Sequence, residues 1–409
     1  FWVFSDVSRL KGKEVTIQVD DLRPGSMALD AMTNSDHIRG AGNLYDEKYR
    51  PQFHFTSRRG WLNDPNGLVY RDGTWHLFYQ HNPYGIHWDN MHWGHAVSED
   101  LFHWKELGDA LRPDDLGMIF SGSAVVDENN TTGFASGAQA PLVCAYTSAG
   151  AFARPPRPFT QSLAYSTDDG RSFTKYVGNP VLGHMKDRNR DPKVFWYEPG
   201  EKWVMALKIK KHQFALFSSP NLKDWTKMDD VTNPGAIDCP EFFPLKIRTA
   251  DGEIAGSAGK RWVFWGGSGQ YLIGTFDGKD FEKVGGPYSS DRGKSWYAAQ
   301  TWNNVPETDG RRIIIGWMRG GAFPGMPFNQ QMTVPVMPYA SPSAVRHSTS
   351  TSSPVLPSIR VSGVSGSSPC ANVHTISPSN RMPAKIIAAR IAINAGLCSF
   401  FCFSTSVSG

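Results

Sequence analysis

Residues 61–67 read Trp-Leu-Asn-Asp-Pro-Asn-Gly, and Gly67-Leu-Val-Tyr70 continues them as a short apolar run. Pro fixes φ and Asn-Gly accepts positive φ, so the local chemistry predicts a tight turn leading into a strand. Asp64 is the unusual member, a carboxylate held between an amide and a proline with Trp61 just upstream. An anion, a hydroxyl partner and a flat apolar face are what a sugar ring needs. Taken alone, the segment is a turn with an Asx cap. Its reading changes because the same device recurs.

Arg190-Asp191-Pro192 stands before Lys193-Val-Phe-Trp196, and Asp238-Cys239-Pro240-Glu241 stands before Phe242-Phe243. Each places an acid just before Pro, or two residues before it, at the start of an aromatic strand. Around them, short alternating strands recur in groups. Each group closes on a Ser- or Thr-led segment ending in an aromatic: Ser98 to Trp104, Ser166 to Phe173, Ser219 to Trp225 and Thr275 to Phe281. The closing aromatics are 69, 52 and 56 residues apart. β units of about 50 residues with one aromatic motif each indicate propeller blades. Four such endings and a last strand at Arg312-Ile-Ile-Ile-Gly-Trp317 predict an all-β, five-bladed β-propeller over residues 44–337. In that fold the three acids share one channel mouth, a costly clustering of like charge that points to function.

Residues 1–43 are expected to form an N-terminal β extension, truncated at its start. Its strand pair, Phe1 to Phe4 and Glu14 to Val19, would be joined around Lys11-Gly-Lys13. Residues 338–409 form a low-complexity tail with 17 serines, five basic residues, no acid and no Trp. The composition predicts disorder there, and the abrupt change in usage fits a shifted reading frame.

The 409 residues, 40% hydrophobic and 12% aromatic, suffice for a sizeable core. The net charge of +4 comes from the tail, since residues 1–337 hold 37 basic and 38 acidic groups. No basic stripe suggests a nucleic-acid partner, and no apolar run approaches the ~18 residues of a membrane span. Five cysteines without metal-site spacing suggest neither a disulfide framework nor a metal centre. His76, His81, His87, His92, His95 and His103 alternate with strand aromatics and read as polar lining, so no metal is expected. Asn130-Thr-Thr132 is a glycosylation sequon only in a eukaryotic secretory setting. Gly266-Gly-Ser-Gly269 lacks the helix of a dinucleotide site. Trp75, Trp203, Trp262 and Trp265 read as blade packing, whereas Trp61 and Trp88 flank loops and suit sugar stacking.

Six ordered motifs carry a family resemblance: Trp61 to Gly67, Phe78-Tyr-Gln-His-Asn-Pro83, Met91-His-Trp-Gly-His95, Phe120-Ser-Gly-Ser123, Arg190-Asp-Pro192 and Asp238-Cys-Pro240. From about Tyr49 to about Pro335 the chain resembles glycoside hydrolase family 32, the invertases, inulinases and levanases, and bacterial levanase-like members in particular. The resemblance implies a retaining β-fructofuranosidase acting on levan, inulin or sucrose, without cofactor and secreted or periplasmic. It implies Asp64 as the nucleophile and Asp191 as a holder of fructosyl hydroxyls that stabilises the transition state. Asn63, Gln80, Trp88, Phe120, Ser121 and Arg190 would line the fructose pocket. An oxocarbenium-like transition state needs just such an anion, a proton donor and hydroxyl contacts, with nucleophile and acid about 5–5.5 Å apart for retention.

One departure stands out. The family's acid/base is a Glu in a Glu-Cys-Pro-Asp pattern, whereas here Asp238 and Glu241 exchange the two acid types. Asp238 is expected to be the acid, with a side chain one methylene shorter. Such a loss of reach matters, because a misplacement near 1 Å can cost ~10²-fold in rate. Two other readings follow: a fructan-binding propeller of impaired chemistry, lacking the usual β-sandwich, and a fructosyltransferase sharing the covalent intermediate.

Overall fold

Gly60–Arg71 is one continuous 12-residue strand, not a turn followed by a strand. Pro cannot donate to a β ladder and is tolerated inside a sheet only at bulges or edges. The strand meets that condition by slipping register between Leu62 and Pro65 and again between Asn66 and Val69. Gly67 takes φ 54 at the second slip, and a Cβ there would meet the Phe78 ring at 2.7 Å. The turn chemistry of Asp-Pro-Asn-Gly is thus spent on two irregularities within a strand.

The computed structural model describes residues 2–19, 32–246, 260–291, 293–338, 387–392 and 400–404. They fall into two compact units. One contains the described residues up to Arg50, 83–85 and the two short segments beyond 386; the other runs over 51–82 and from 86 to 338. The first boundary lies at Arg50 rather than at residue 43, where the Arg50–Glu47 ion pair and the Arg50–Tyr45 stacking close the segment locally.

The larger unit is a propeller-like series of antiparallel sheets. The first holds Gly60–Arg71, Thr74–Asn82, His92–Ser98 and Lys105–Leu111, with Phe328–Asn329 added parallel to Gly60–Trp61. Three four-stranded meanders follow, beginning at Met118–Val126, Arg190–Tyr197 and Glu241–Lys246. A two-stranded sheet, Trp296–Thr301 with Ile314–Met318, comes next. The first strands lie side by side: Gly60–Arg71 touches both Met118–Val126 and Trp296–Thr301. Apolar clusters fill the space between successive sheets, as where Val69, Phe78 and Trp93 meet Ile119, Ala124 and Tyr146. The Ser-led aromatic segments do not close the sheets. Each bridges the third strand to a fourth outer one, as Ser98 Oγ accepts from Leu101 N at 2.8 Å and Ser166 Oγ from Gly170 N at 2.8 Å.

In the smaller unit both expected strands exist, but they do not form a hairpin. Trp2–Asp6 pairs with Phe400–Ser404, which also pairs with Thr33–Ser35, and Glu14–Val19 pairs with Ile387–Ala392. The 3₁₀ turn at Ser8–Leu10 lengthens the connection beyond a tight hairpin loop. The expectation of a structureless tail is corrected at these two segments, which are strands whose backbones pair with the N-terminal strands. The rest of residues 339–409 lies outside the described residues.

Candidate active site

The first strands of the large unit carry the chemistry at their starting ends. Four of them are irregular there, slipping between Leu62 and Pro65, Phe120 and Gly122, Arg190 and Lys193, and Tyr297 and Gln300. A bulge adds an unpaired residue and re-aims its side chain. Asp191, Cys239 and Ala298 also take positive φ, at 65°, 45° and 50°. Non-glycine residues held there carry strain that the surrounding packing must impose.

This geometry brings Asp64, Asp191 and Asp238 together. Ser121 Oγ donates to Asp64 Oδ2 at 2.7 Å. The thiol of Cys239 lies 3.7 Å from both Asp64 Oδ2 and Asp191 Oδ2, and its backbone N–H donates to Asp191 Oδ2 at 3.1 Å. Arg190 spans the other two acids, with Nε 3.2 Å from Asp191 and Nη2 2.8 Å from Asp238. Tyr297 OH donates to the second oxygen of Asp238 at 2.8 Å. From below, Thr147 Oγ1 accepts the Asp191 N–H at 2.9 Å and donates to Gln161 at 2.7 Å.

The expected pocket residues surround this group. Asn63 accepts from Trp61 Nε1 at 2.9 Å, which ties the indole beside the acid. Gln80 donates to Ile119 O at 2.9 Å under the Ser121 bulge. Trp88, 42% exposed, packs edge-on against Phe120 and Phe152, and Phe120 meets Phe159. The arrangement offers a flat apolar wall on one side and a carboxylate cluster on the other. A roomier cavity, lined among others by Phe195, Trp196, Trp262 and Arg312, opens near the far ends of the same strands. None of the three clustered aspartates reaches it, so chemistry rather than volume marks the site.

Burial pushes the Asp64 carboxyl above its usual range; Ser121 and Asn63 oppose the rise, and Asp238 adds to it. Asp191 is pushed up to about 7, first by burial, against the pull of Arg190 and with the push of Asp238 and Asp64. Asp64 and Asp191 therefore both hold their protons more tightly than free carboxyls do. Burial also raises the Cys239 thiol and the Tyr297 phenol, and the neighbouring carboxylates raise them further, so both remain donors. Burial alone would lower Arg190, but Asp191 and Asp238 outweigh it and keep it charged.

Cys239 and Tyr297 are the members that sequence reasoning passed over. The first sits inside the Asp238-Cys-Pro240 motif. The second opens the last aromatic strand, the position that bears an acid in three earlier units. The histidines read as lining are divided: His76 and His95 pair at 3.0 Å within the first sheet, His81 pairs with Asp109, and exposed His103 pairs with Asp100. No group of three or more His, Cys, Asp or Glu among the described residues has the geometry of a metal site.

The sequence model of the glycosyl hydrolases family 32 N-terminal domain matches residues 54–336. A levanase of Bacillus subtilis is 44% identical over 316 residues, covering 72% of this chain and 45% of that protein. An extracellular exo-inulinase of Aspergillus niger is 38% identical over 341 residues, covering 71% of this chain and 62% of the relative. The crystal structure of the exo-inulinase from Aspergillus awamori superimposes with a TM-score of 0.64 at 34% identity, over 73% of this chain and 65% of that one. The chain thus spans about half to two thirds of the length of these relatives.

Proposed function

The chain belongs to glycoside hydrolase family 32, and on that premise we propose that it is a retaining β-fructofuranosidase releasing terminal fructose from levan, inulin or sucrose. The observation that carries this reading is the meeting of three carboxylates from separate sheets around Cys239, beside an aromatic wall. Asp64 attacks the anomeric carbon while Asp238 gives its proton to the leaving oxygen, producing a fructosyl–Asp64 ester. Asp238 then takes a proton from water, which breaks the ester and releases fructose with retained configuration. Asp191 and Arg190 hold fructosyl hydroxyls through contacts that strengthen as positive charge develops. Asn63, Gln80, Trp88, Phe120 and Ser121 shape the pocket and keep Asp64 oriented.

The two-stranded sheet is read as the fifth blade, completed by the bridges Ile314↔Val336 and Trp317↔Met332. The extracellular relative supports export of this chain as well. No helix among the described residues is long and apolar enough to cross a membrane.

Incubation with levan, inulin and sucrose, with free fructose quantified and the first-formed anomer read by NMR, tests the proposal. Release of the β-anomer supports it, and the α-anomer refutes retention. One observation favours a second reading, a fructan-binding propeller: the acid at 238 has the shorter side chain and is already engaged by Arg190 and Tyr297. Fructan binding without fructose release would establish that reading. Oligofructosides formed in excess of free fructose would mark a transferase.

A further inference from the structure

Glu241 has no role in the reaction as written above, yet it is 1% exposed and engaged by an ion pair at one carboxylate oxygen and hydrogen bonds at the other. Its Oε1 lies 2.9 Å from Lys193 Nζ. Its Oε2 accepts from Thr301 N at 3.1 Å and Thr301 Oγ1 at 2.6 Å. Lys193, itself 2% exposed, also donates to Thr301 O at 2.8 Å. Three first strands are thereby stapled together, and each carries a site residue a few positions earlier: Asp191 before Lys193, Asp238 before Glu241, Tyr297 before Thr301. The staple therefore lies one layer deeper in the channel than the carboxylates. Apolar residues would fill this space at no greater cost in stability, so the pair calls for a geometric explanation.

We propose that Glu241 is a positioning residue for the proton donor, setting through Lys193 and Thr301 how far residues 238–241 stand out of the channel. This rests on the reading of Asp238 as the acid. The long arm of Glu241 holds the backbone toward the mouth, where the short Asp238 carboxyl meets Arg190 and Tyr297, both at 2.8 Å. A shorter arm at 241 draws the backbone inward by up to about 1.5 Å, the length of one methylene step. The acid at 238 then falls short of the leaving oxygen, and a longer acid there recovers the reach. The lengths at 238 and 241 are thus coupled, with one long and one short arm giving a working site.

The test compares sucrose, whose leaving group needs a proton, with an activated aryl fructoside, which needs little. Glu241→Asp is expected to lower kcat on sucrose about 10–10²-fold, with KM nearly unchanged and the aryl fructoside affected less than about threefold. Asp238→Glu combined with Glu241→Asp returns sucrose turnover to at least about a third of the unmodified value. The double change gains more over Glu241→Asp than Asp238→Glu gains alone. Lys193→Met with Glu241→Leu, which replaces the pair by apolar side chains and keeps a folded chain, shows the same selective loss on sucrose. Equal losses on both substrates, or a double variant equal to the product of the singles, overturns the proposal. Asp238→Asn keeps the two failures apart: if it spares sucrose turnover, the acid assignment itself is wrong. If it abolishes sucrose turnover while Glu241→Asp shows no selectivity, only the positioning role falls. An unmodified protein inactive on both substrates overturns both.

Discussion

Asp191 binds its proton more tightly in the folded chain than in the unfolded one, where an aspartate titrates near 3.9. Burial drives its folded value to about 7. A carboxyl shifted upward contributes stability that is full below pH ~4 and is lost as pH rises through about 7. Asp191→Asn removes that loss. It is expected to melt about 2–4 °C above the unmodified protein at pH 7.5, with the gap closing toward pH 4.5; a higher-melting unmodified protein at pH 7.5 would refute the shift. On the proposed role of Asp191 the same substitution also removes fructosyl contacts, so stability is expected to rise as turnover falls. If Asp64 is the nucleophile, as proposed, Asp64→Ala should abolish turnover of sucrose and aryl fructoside alike, by about 10⁴-fold or more, because the covalent step is lost. A variant retaining a tenth of either activity would exclude Asp64 as nucleophile. At this scale the three acids were legible because each stands one or two residues before a proline that leads into an aromatic strand sequence. Cys239 and Tyr297 were not, because their meaning lies in what faces them across the channel: two carboxylates for the thiol, Asp238 for the phenol.

Strand irregularities, not turns, present the site. Asp-Pro-Asn-Gly has the composition of a turn, and local chemistry alone gives no reason to read it as mid-strand. The ladder to Thr74–Asn82 overrides that preference by pairing Pro65 with Tyr79 and slipping on either side. The Ser-led aromatic segments were visible, but their place between third and fourth strands was not, since outer strands such as Lys105–Leu111 and Thr226–Thr232 are largely polar and Thr174–Lys175 has only two residues. Gly122 gives this scale its test. A Cβ there would lie 2.0 Å from Ala145 O and 2.7 Å from Tyr146 Cα. Gly122→Ala must therefore part the second sheet beside the bulge that aims Ser121 at Asp64. We expect kcat/KM on sucrose to fall about 10–10²-fold, with a stability loss of about 1–3 kcal/mol. Gly183→Ala, with nothing within 4 Å of its Cβ, should leave both unchanged. Equal behaviour of the two variants in kinetics and melting would show that the bulge is not held by close packing.

A ring of sheets needs its last part to return to its first, and that closure is carried by residues that look like loop in the sequence. Phe328–Asn329 pairs parallel with Gly60–Trp61, Gly60 N donates to Pro327 O at 2.8 Å, and Met332 N donates to Phe55 O at 2.9 Å. Phe328 and Met332 are fully buried, and Met332 packs with Phe55, Leu62 and Trp302 between the last sheet and the first. The recurrent aromatic spacing made the sheets legible, but a two-residue strand among prolines and glycines has no period to detect. The strand so clamped carries Asn63 and Asp64, so on the proposed mechanism closure and catalysis depend on one another. Every buried cluster of the large unit lies within residues 55–336. A fragment of residues 51–338 is therefore expected to fold alone, unfold in one cooperative transition and keep fructose release within about threefold of the full chain. Ending the fragment at Gly325 removes Phe328 and Met332, exposing apolar side chains whose burial is worth roughly 1.5–3 kcal/mol each. That shorter fragment should lose the cooperative transition in thermal melting, release no fructose and sediment as aggregate. Cooperative melting and retained activity in the shorter fragment would mean that the ring closes without this segment, and that the first strand is held in place by its neighbours in the sheet alone.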